Sequence, residues 1–371
     1  MTKQPSQYLS CQSMTLLSRL LLDSGKVNSS SPSETAELQS DCRNIGRDEF
    51  DDLVALASSN HVVVRGLEVF LKMVREAADD SRVEWAQTAL AAEQARIAKA
   101  LTFLHDICTS FECEGYDVAV IKSLDHWPDL GSDLDLFTNA NSRDIATHMK
   151  KCFDAQTASR SWGDRLAGKW NFLIPGLPEA VEIHMGRLGQ TGEQGAIASH
   201  LVRRSRPIMI GDKRFRVPCA SDRLMISTLQ RMYRHFYFRL CDIVDTAALS
   251  ETGDIDYWGL RSSATHAGIW EVVATYLVIV SDYVRRYGNS GLDLPQFVMD
   301  AATFGGNQVY YAREFLRVPI MPQSVRLYGS QLAGMLRRRE LFNGARLSLL
   351  PWLATAALVG QRITGSDKGI W

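Results

Sequence analysis

Asp133-Leu134-Asp135-Leu136-Phe137 places two carboxylates one residue apart. Strand side chains alternate, so Asp133 and Asp135 take one face while Leu134 and Leu136 take the other. Neighbouring carboxylates repel each other unless a cation lies between them. Mg²⁺ or Mn²⁺ suits such oxygen donors and leaves coordination positions free for substrate phosphates. Val181-Glu182-Ile183-His184 repeats the alternation, with Glu182 and His184 on the polar face. A neighbouring strand carrying Glu182 would complete a metal-binding, catalytic triad of Asp133, Asp135 and Glu182.

Such a triad needs a sheet. Residues 1–46 include a Ser-rich stretch at 24–40 and read as an irregular or mobile segment. From Arg47 to about residue 114, apolar residues recur at helical spacing, which predicts a helical cap. The character changes at Gly115. Tyr116–Ile121, the Asp133 segment, Lys169–Ile174 and Ala180–Met185 are strand candidates. Arg143–Phe153 is a helix capped by Asn141 or Ser142. These elements make residues 115–218 an α/β core of the α+β kind, a mixed sheet with flanking helices. A strand pair turns at Gly211-Asp212 near its end. Residues 219–371 form a C-terminal helical region that opens with a helix from Ser221 to about Tyr237.

That helix carries Arg231, Arg234, His235 and, just beyond, Arg239 among Tyr and Phe residues. It reads either as a basic face for an anionic substrate or as a solvated surface. Asp242 and Asp245 are placed to hold those arginines. Trp127 reads as a ring for base stacking or as a core plug. His184 reads as an orienting or substrate-touching residue or as a structural histidine. Arg165 and Lys169 are candidate phosphate contacts.

The formal net charge is −1, so there is no broad basic footprint for nucleic acid, although Arg203-Arg204-Ser205-Arg206 and Arg337–Arg339 are local clusters. The seven cysteines lack C-x-x-C pairs, and no signal peptide is evident. Reduced thiols in the cytoplasm are expected, and Cys and His spacing predicts no zinc site. No apolar run reaches transmembrane length; Leu347–Gly360 is expected as a buried terminal helix, with a membrane-surface segment as the alternative.

Val120-Ile121-Lys122-Ser123, a nine-residue gap and Asp133-Leu134-Asp135-Leu136 together resemble the polymerase-β-type nucleotidyltransferase superfamily. Within it, the chain resembles the bacterial uncharacterised nucleotidyltransferase family. Ala57–Val64, Trp127-Pro128-Asp129, Val181–His184 and Arg239–Asp245 carry the likeness, which spans roughly residues 50–260. The resemblance implies transfer of a nucleoside monophosphate from an NTP, ATP among them, to an unidentified acceptor, a small molecule or a protein. It implies Lys122, Ser123, Ser132, Lys169, His184 and Arg239 as nucleotide-binding positions, with Mg²⁺ or Mn²⁺ as cofactor: one ion on Asp133 and Asp135 gripping the triphosphate and a second held together with Glu182, which reads alternatively as a general base. Lys122 stands where the superfamily usually has glycine. Ser123 reads as a phosphate contact or as a helix cap. Two other readings remain: a non-catalytic nucleotide- or ligand-binding protein on this fold, and a nucleic-acid-modifying or toxin–antitoxin-type regulator. Oligomeric state is open.

Overall fold

The computed structural model describes residues 7–23, 32–288, 290–303, 310–312, 314–317, 324–353 and 355–356. Its main sheet contains β1 (Val118–Val120), β2 (Asp133–Thr138), β3 (Gln156–Thr157), β4 (Lys169–Leu173) and β5 (Ala180–Met185), in the order β1-β2-β5-β4-β3. β2 and β5 run parallel, and every other pair is antiparallel. The molecule is therefore mixed α/β, with a mixed sheet and flanking helices. A parallel pair needs a crossover. Helix Ser142–Phe153, β3, helix Trp162–Ala167 and β4 supply it. Asn141 caps the first of these helices by accepting the Arg143 amide at 2.9 Å.

Alternation divides the sheet chemically. Val118, Val120, Leu134, Leu136, Val181 and Ile183 pack under the 34-residue helix Asp80–Cys113, against Leu101, Leu104, Ile107 and Phe111. Each fully buried side chain of this kind contributes about 1.5–3 kcal/mol. A one-residue slip would move the whole set to the polar face, so the register is fixed. That register sets Asp135 opposite Glu182. On the other face, Ile121 and Phe137 join a second core built by the helical body.

The second core corrects the reading of residues 1–46 as irregular. Gln7–Leu22 and Pro32–Asn44 are helices, and they bury Met14, Leu17, Leu20, Leu38 and Cys42. Residues 24–31 of the expected loop lie outside the described residues. These buried side chains share one apolar cluster with helices Val63–Glu76, Leu240–Glu251 and Trp270–Gly288. The N-terminal cap and the C-terminal helices are thus one packed body.

The helix from Ser221 also ends sooner than expected. An α-helix spans Ala220–Thr228, followed by a π-helical turn at Leu229–His235. Phe236 then takes φ +54°, and Tyr237–Phe238 pair with Phe315–Arg317 as a strand. Tertiary strand pairing overrides helical spacing here: Tyr237 stacks on Phe315 with ring centroids 4.3 Å apart. β6 (Arg206–Ile210) and β7 (Lys213–Val217) form the expected pair, turning at Gly211 with φ +59°.

The Leu347–Gly360 segment is not the buried helix expected in its described part, because Leu349 and Trp352 are exposed. Residues 354 and 357–360 lie outside the described residues. No helix among the described residues is long and apolar enough to cross a membrane.

Candidate active site

The site begins with a strained turn. Lys122 has φ 59° and ψ −60°, and the Ser123 amide donates across it to the Ile121 carbonyl at 2.6 Å. This is a γ-turn, a rare conformation for a residue with a side chain. Ser123 locks it. Its hydroxyl donates to the Asp133 carbonyl at 3.1 Å and accepts the Asp135 amide at 2.7 Å. The turn is thereby fastened to the start of β2 and aims Lys122 at the carboxylates.

The Lys122 ammonium pairs with Asp135 and lies 3.3 Å from Glu182 Oε1 and 3.5 Å from His184 Nε2. Asp135 Oδ1, Glu182 Oε1 and His184 Nε2 lie within 4.8 Å of one another, a spacing that suits one cation. Here that cation is an ammonium. Lys169, buried, meets Glu182 Oε2 at 2.6 Å, and His184 meets Glu182 Oε1 at 2.7 Å. Burial works against the Lys122 charge, but Asp135 and Glu182 outweigh it and hold the amine above its ordinary range. Burial likewise raises Glu182, yet Lys122, His184 and Lys169 hold its carboxyl well below the usual range.

Asp133 differs. It is exposed at the end of β2 and makes no ion pair among the described residues. Although the residue is exposed, its carboxyl group is partly desolvated at the cavity, and this, followed by the charges of Asp135 and Glu182, pushes it up against the pull of Lys122 and Lys169.

Asp133, Asp135 and Glu182 line one cavity of about 180 Å³, together with Lys122, Ser123 and Ser132. The opposite wall is Gln230, Arg231, Arg234, His235 and Arg239, on and after the π-helical turn. Such turns recur at functional sites, because they re-aim side chains within a helix. Arg231 pairs with Asp242 at 2.7 Å. Arg234 and Arg239 have no carboxylate partner for their side chains among the described residues; Arg239 lies 3.4 Å from His61 Nδ1 and over the Phe315 ring. Burial, followed by Arg231, Arg234, Arg239 and Lys122, lowers His235 to about 2. Burial, followed by Arg239 and His126, lowers His61 to about 2. The wall is cationic with neutral imidazoles set into it, which suits a polyanion.

Of the residues singled out in the sequence, Lys122, Ser123, Ser132, Asp133, Asp135, Glu182 and Arg239 meet at this cavity. Lys169 and His184 reach it through Glu182. The Ser123 hydroxyl is committed to β2. Arg165 lies apart, exposed, its guanidinium 5.5 Å from the Trp162 ring centre. Trp127 is 44% exposed, which rules out the core plug. Arg204, Arg206 and Arg338 are spent on Asp222, Asp254 and Glu340. Asp245 holds Arg65 at 2.7 Å rather than the arginines of the wall, and Asp129 holds Arg65 as well, at 2.7 Å. Arg65 and Gln230 had no signal in the sequence beyond helical spacing. Compared with known proteins, no family model matches the chain and no curated sequence matches it.

Proposed function

We propose that the chain is a nucleotidyltransferase of the polymerase-β type that moves a nucleoside monophosphate from an NTP to an acceptor. An acceptor oxygen would bond to the α-phosphorus as the bond to pyrophosphate breaks. The observation that carries this reading is one cavity with Asp133, Asp135 and Glu182 on one wall and, on the other, Arg234 and Arg239, whose side chains have no carboxylate partner among the described residues. Carboxylates on one side and guanidiniums on the other would position a triphosphate and oppose its developing charge.

Asp133 and Asp135 fit a divalent cation, since both offer carboxylate oxygens and Asp133 lacks a cation of its own among the described residues. They would hold Mg²⁺ or Mn²⁺, which neutralises charge on a transferring phosphoryl group when bound. The position shared by Asp135, Glu182 and His184 fits the Lys122 ammonium instead. One divalent cation plus a lysine is therefore favoured over two metals. Glu182, held low by Lys122, His184 and Lys169, is a poor proton acceptor, so its work is to hold Lys122 and Lys169.

The pairing of Lys122 with Asp135 also favours a second reading, a nucleotide-binding protein without turnover. Incubation with α-labelled ATP, CTP, GTP or UTP, Mg²⁺ or Mn²⁺ and cell extract separates the two. Metal-dependent release of pyrophosphate with label on an acceptor, or on the chain itself, is expected. Tight nucleotide binding with no label transferred under any metal supports the second reading and overturns the first.

A further inference from the structure

Beside the carboxylate centre, three softer donors converge. His61 follows helix Arg47–Ser59, His126 ends the short helical turn Ser123–His126, and Cys241 lies in the first turn of helix Leu240–Glu251. They are far apart in sequence, so spacing announced nothing. Their donor atoms nonetheless lie within 4.8 Å of one another. Cys241 Sγ is 3.9 Å from His126 Nε2, and the two imidazole rings are 5.6 Å apart. His126 Nδ1 is engaged by Asp245 at 2.5 Å, and Asp245 is anchored by Arg65 at 2.7 Å. This fixes the ring and turns Nε2 toward the sulfur, the carboxylate–histidine arrangement that orients metal-binding imidazoles.

We propose that His61, His126 and Cys241 form a binding site for a borderline-soft divalent cation, Zn²⁺ foremost, with Asp245 orienting His126. Two imidazole nitrogens and a sulfur are a zinc donor set, and three protein ligands leave one position for water or substrate. Metal–ligand bonds of about 2.0–2.3 Å put tetrahedral donors about 3.3–3.6 Å apart, so the 3.9 Å gap closes by a few tenths of an ångström on binding. His61 and His126 both line the cavity, which gives the ion its route in. Asp245 supplies countercharge against Arg239 near His61. Ligation takes the thiolate, so the Cys241 proton leaves to solvent on binding.

Cys241, His126 and Asp245 also resemble a nucleophile–base–orienter relay. Cys241 is fully buried, so a substrate carbonyl cannot reach its sulfur.

The test uses the full chain after dialysis against a chelator, titrated with Co²⁺ and followed by absorbance. A thiolate-to-cobalt charge-transfer band in the near ultraviolet is expected, displaced by Zn²⁺ and lost in Cys241→Ser with the circular dichroism unchanged. Should Cys241→Ser not fold, His61→Asn decides: Zn²⁺ affinity weakened ten-fold or more supports the site, and unchanged affinity overturns it. No sulfur band in the wild-type chain, or a band that survives in Cys241→Ser, also overturns it.

Discussion

At the residue scale, the cavity is organised by which groups hold charge and which are denied it. Lys122 and Lys169 consume the negative charge of Glu182 and Asp135, with His184 against Glu182, while Asp133 is left over. Opposite them, His235 is kept neutral among three arginines. Its pKa in the folded chain, about 2, lies below the ordinary 6.5. A depressed histidine lets the unfolded chain take the proton first, so its effect is absent above pH 6.5 and costs stability as pH falls from 6.5 toward 2. In that window one such group removes up to about 1.4 kcal/mol per pH unit. His235→Asn should flatten the loss of stability between pH 6.5 and 5 by that amount, read from urea unfolding at each pH. An unchanged slope would mean that His235 accepts its proton within the fold.

At the scale of elements, the site depends on how a turn is tied to a strand. Lys122 sits in a γ-turn that costs on the order of 1–3 kcal/mol, and the surrounding contacts hold it there. Ser123 is the fastener, bonding both the Asp133 carbonyl and the Asp135 amide. Ser123→Ala should cost about 1–3 kcal/mol by orphaning a buried amide, measured by chemical denaturation. Full stability in this variant would show that the turn holds without the hydroxyl. Alternation in Asp133–Phe137 and Val181–His184 was legible in the sequence, because period-2 patterning follows from strand geometry alone. The π-helical turn was not. Arg231, Arg234 and His235 recur at spacings that an α-helix also satisfies, and only the pairing of Tyr237–Phe238 with Phe315–Arg317 forces the helix to stop. Lys122 could be recognised as standing in a glycine's place, but not as the partner of Asp135 and Glu182, since that depends on the side chain's direction out of the turn.

At the scale of the whole molecule, the sheet stands between two apolar cores, and the cavity opens where the charged end of its second face meets the helical body. The N-terminal helices belong to that body. Leu17 is buried in it, and a methyl group added at Gly66 would come within 2.9 Å of Leu17. Leu17→Ala should destabilise the fold by about 2–5 kcal/mol. Fluorescence and far-ultraviolet melts should move together, as one cooperative unit requires; separate transitions would show that the N-terminal helices unfold on their own. The low apolar content of residues 24–40 hid this arrangement, because a Ser-rich stretch reads as a tail when the helix Trp270–Gly288 that shares its core lies more than two hundred residues later.

The central claim is that the leftover carboxylate of Asp133 serves catalysis rather than structure. Asp135 is less informative to change, since its loss would also take from the Lys122 ammonium one of its two carboxylate partners. Asp133 has no ion-pair partner among the described residues and is crowded by like charge, so Asp133→Asn should leave the metal-free fold intact or stabilise it by about 1 kcal/mol or less. The decisive measurement pairs metal-free thermal melting with Mg²⁺-dependent pyrophosphate release on the same sample of Asp133→Asn. An unchanged or slightly raised Tm with release abolished is the expected result. A variant that melts well below the wild type yet still releases pyrophosphate at the wild-type rate would contradict the claim.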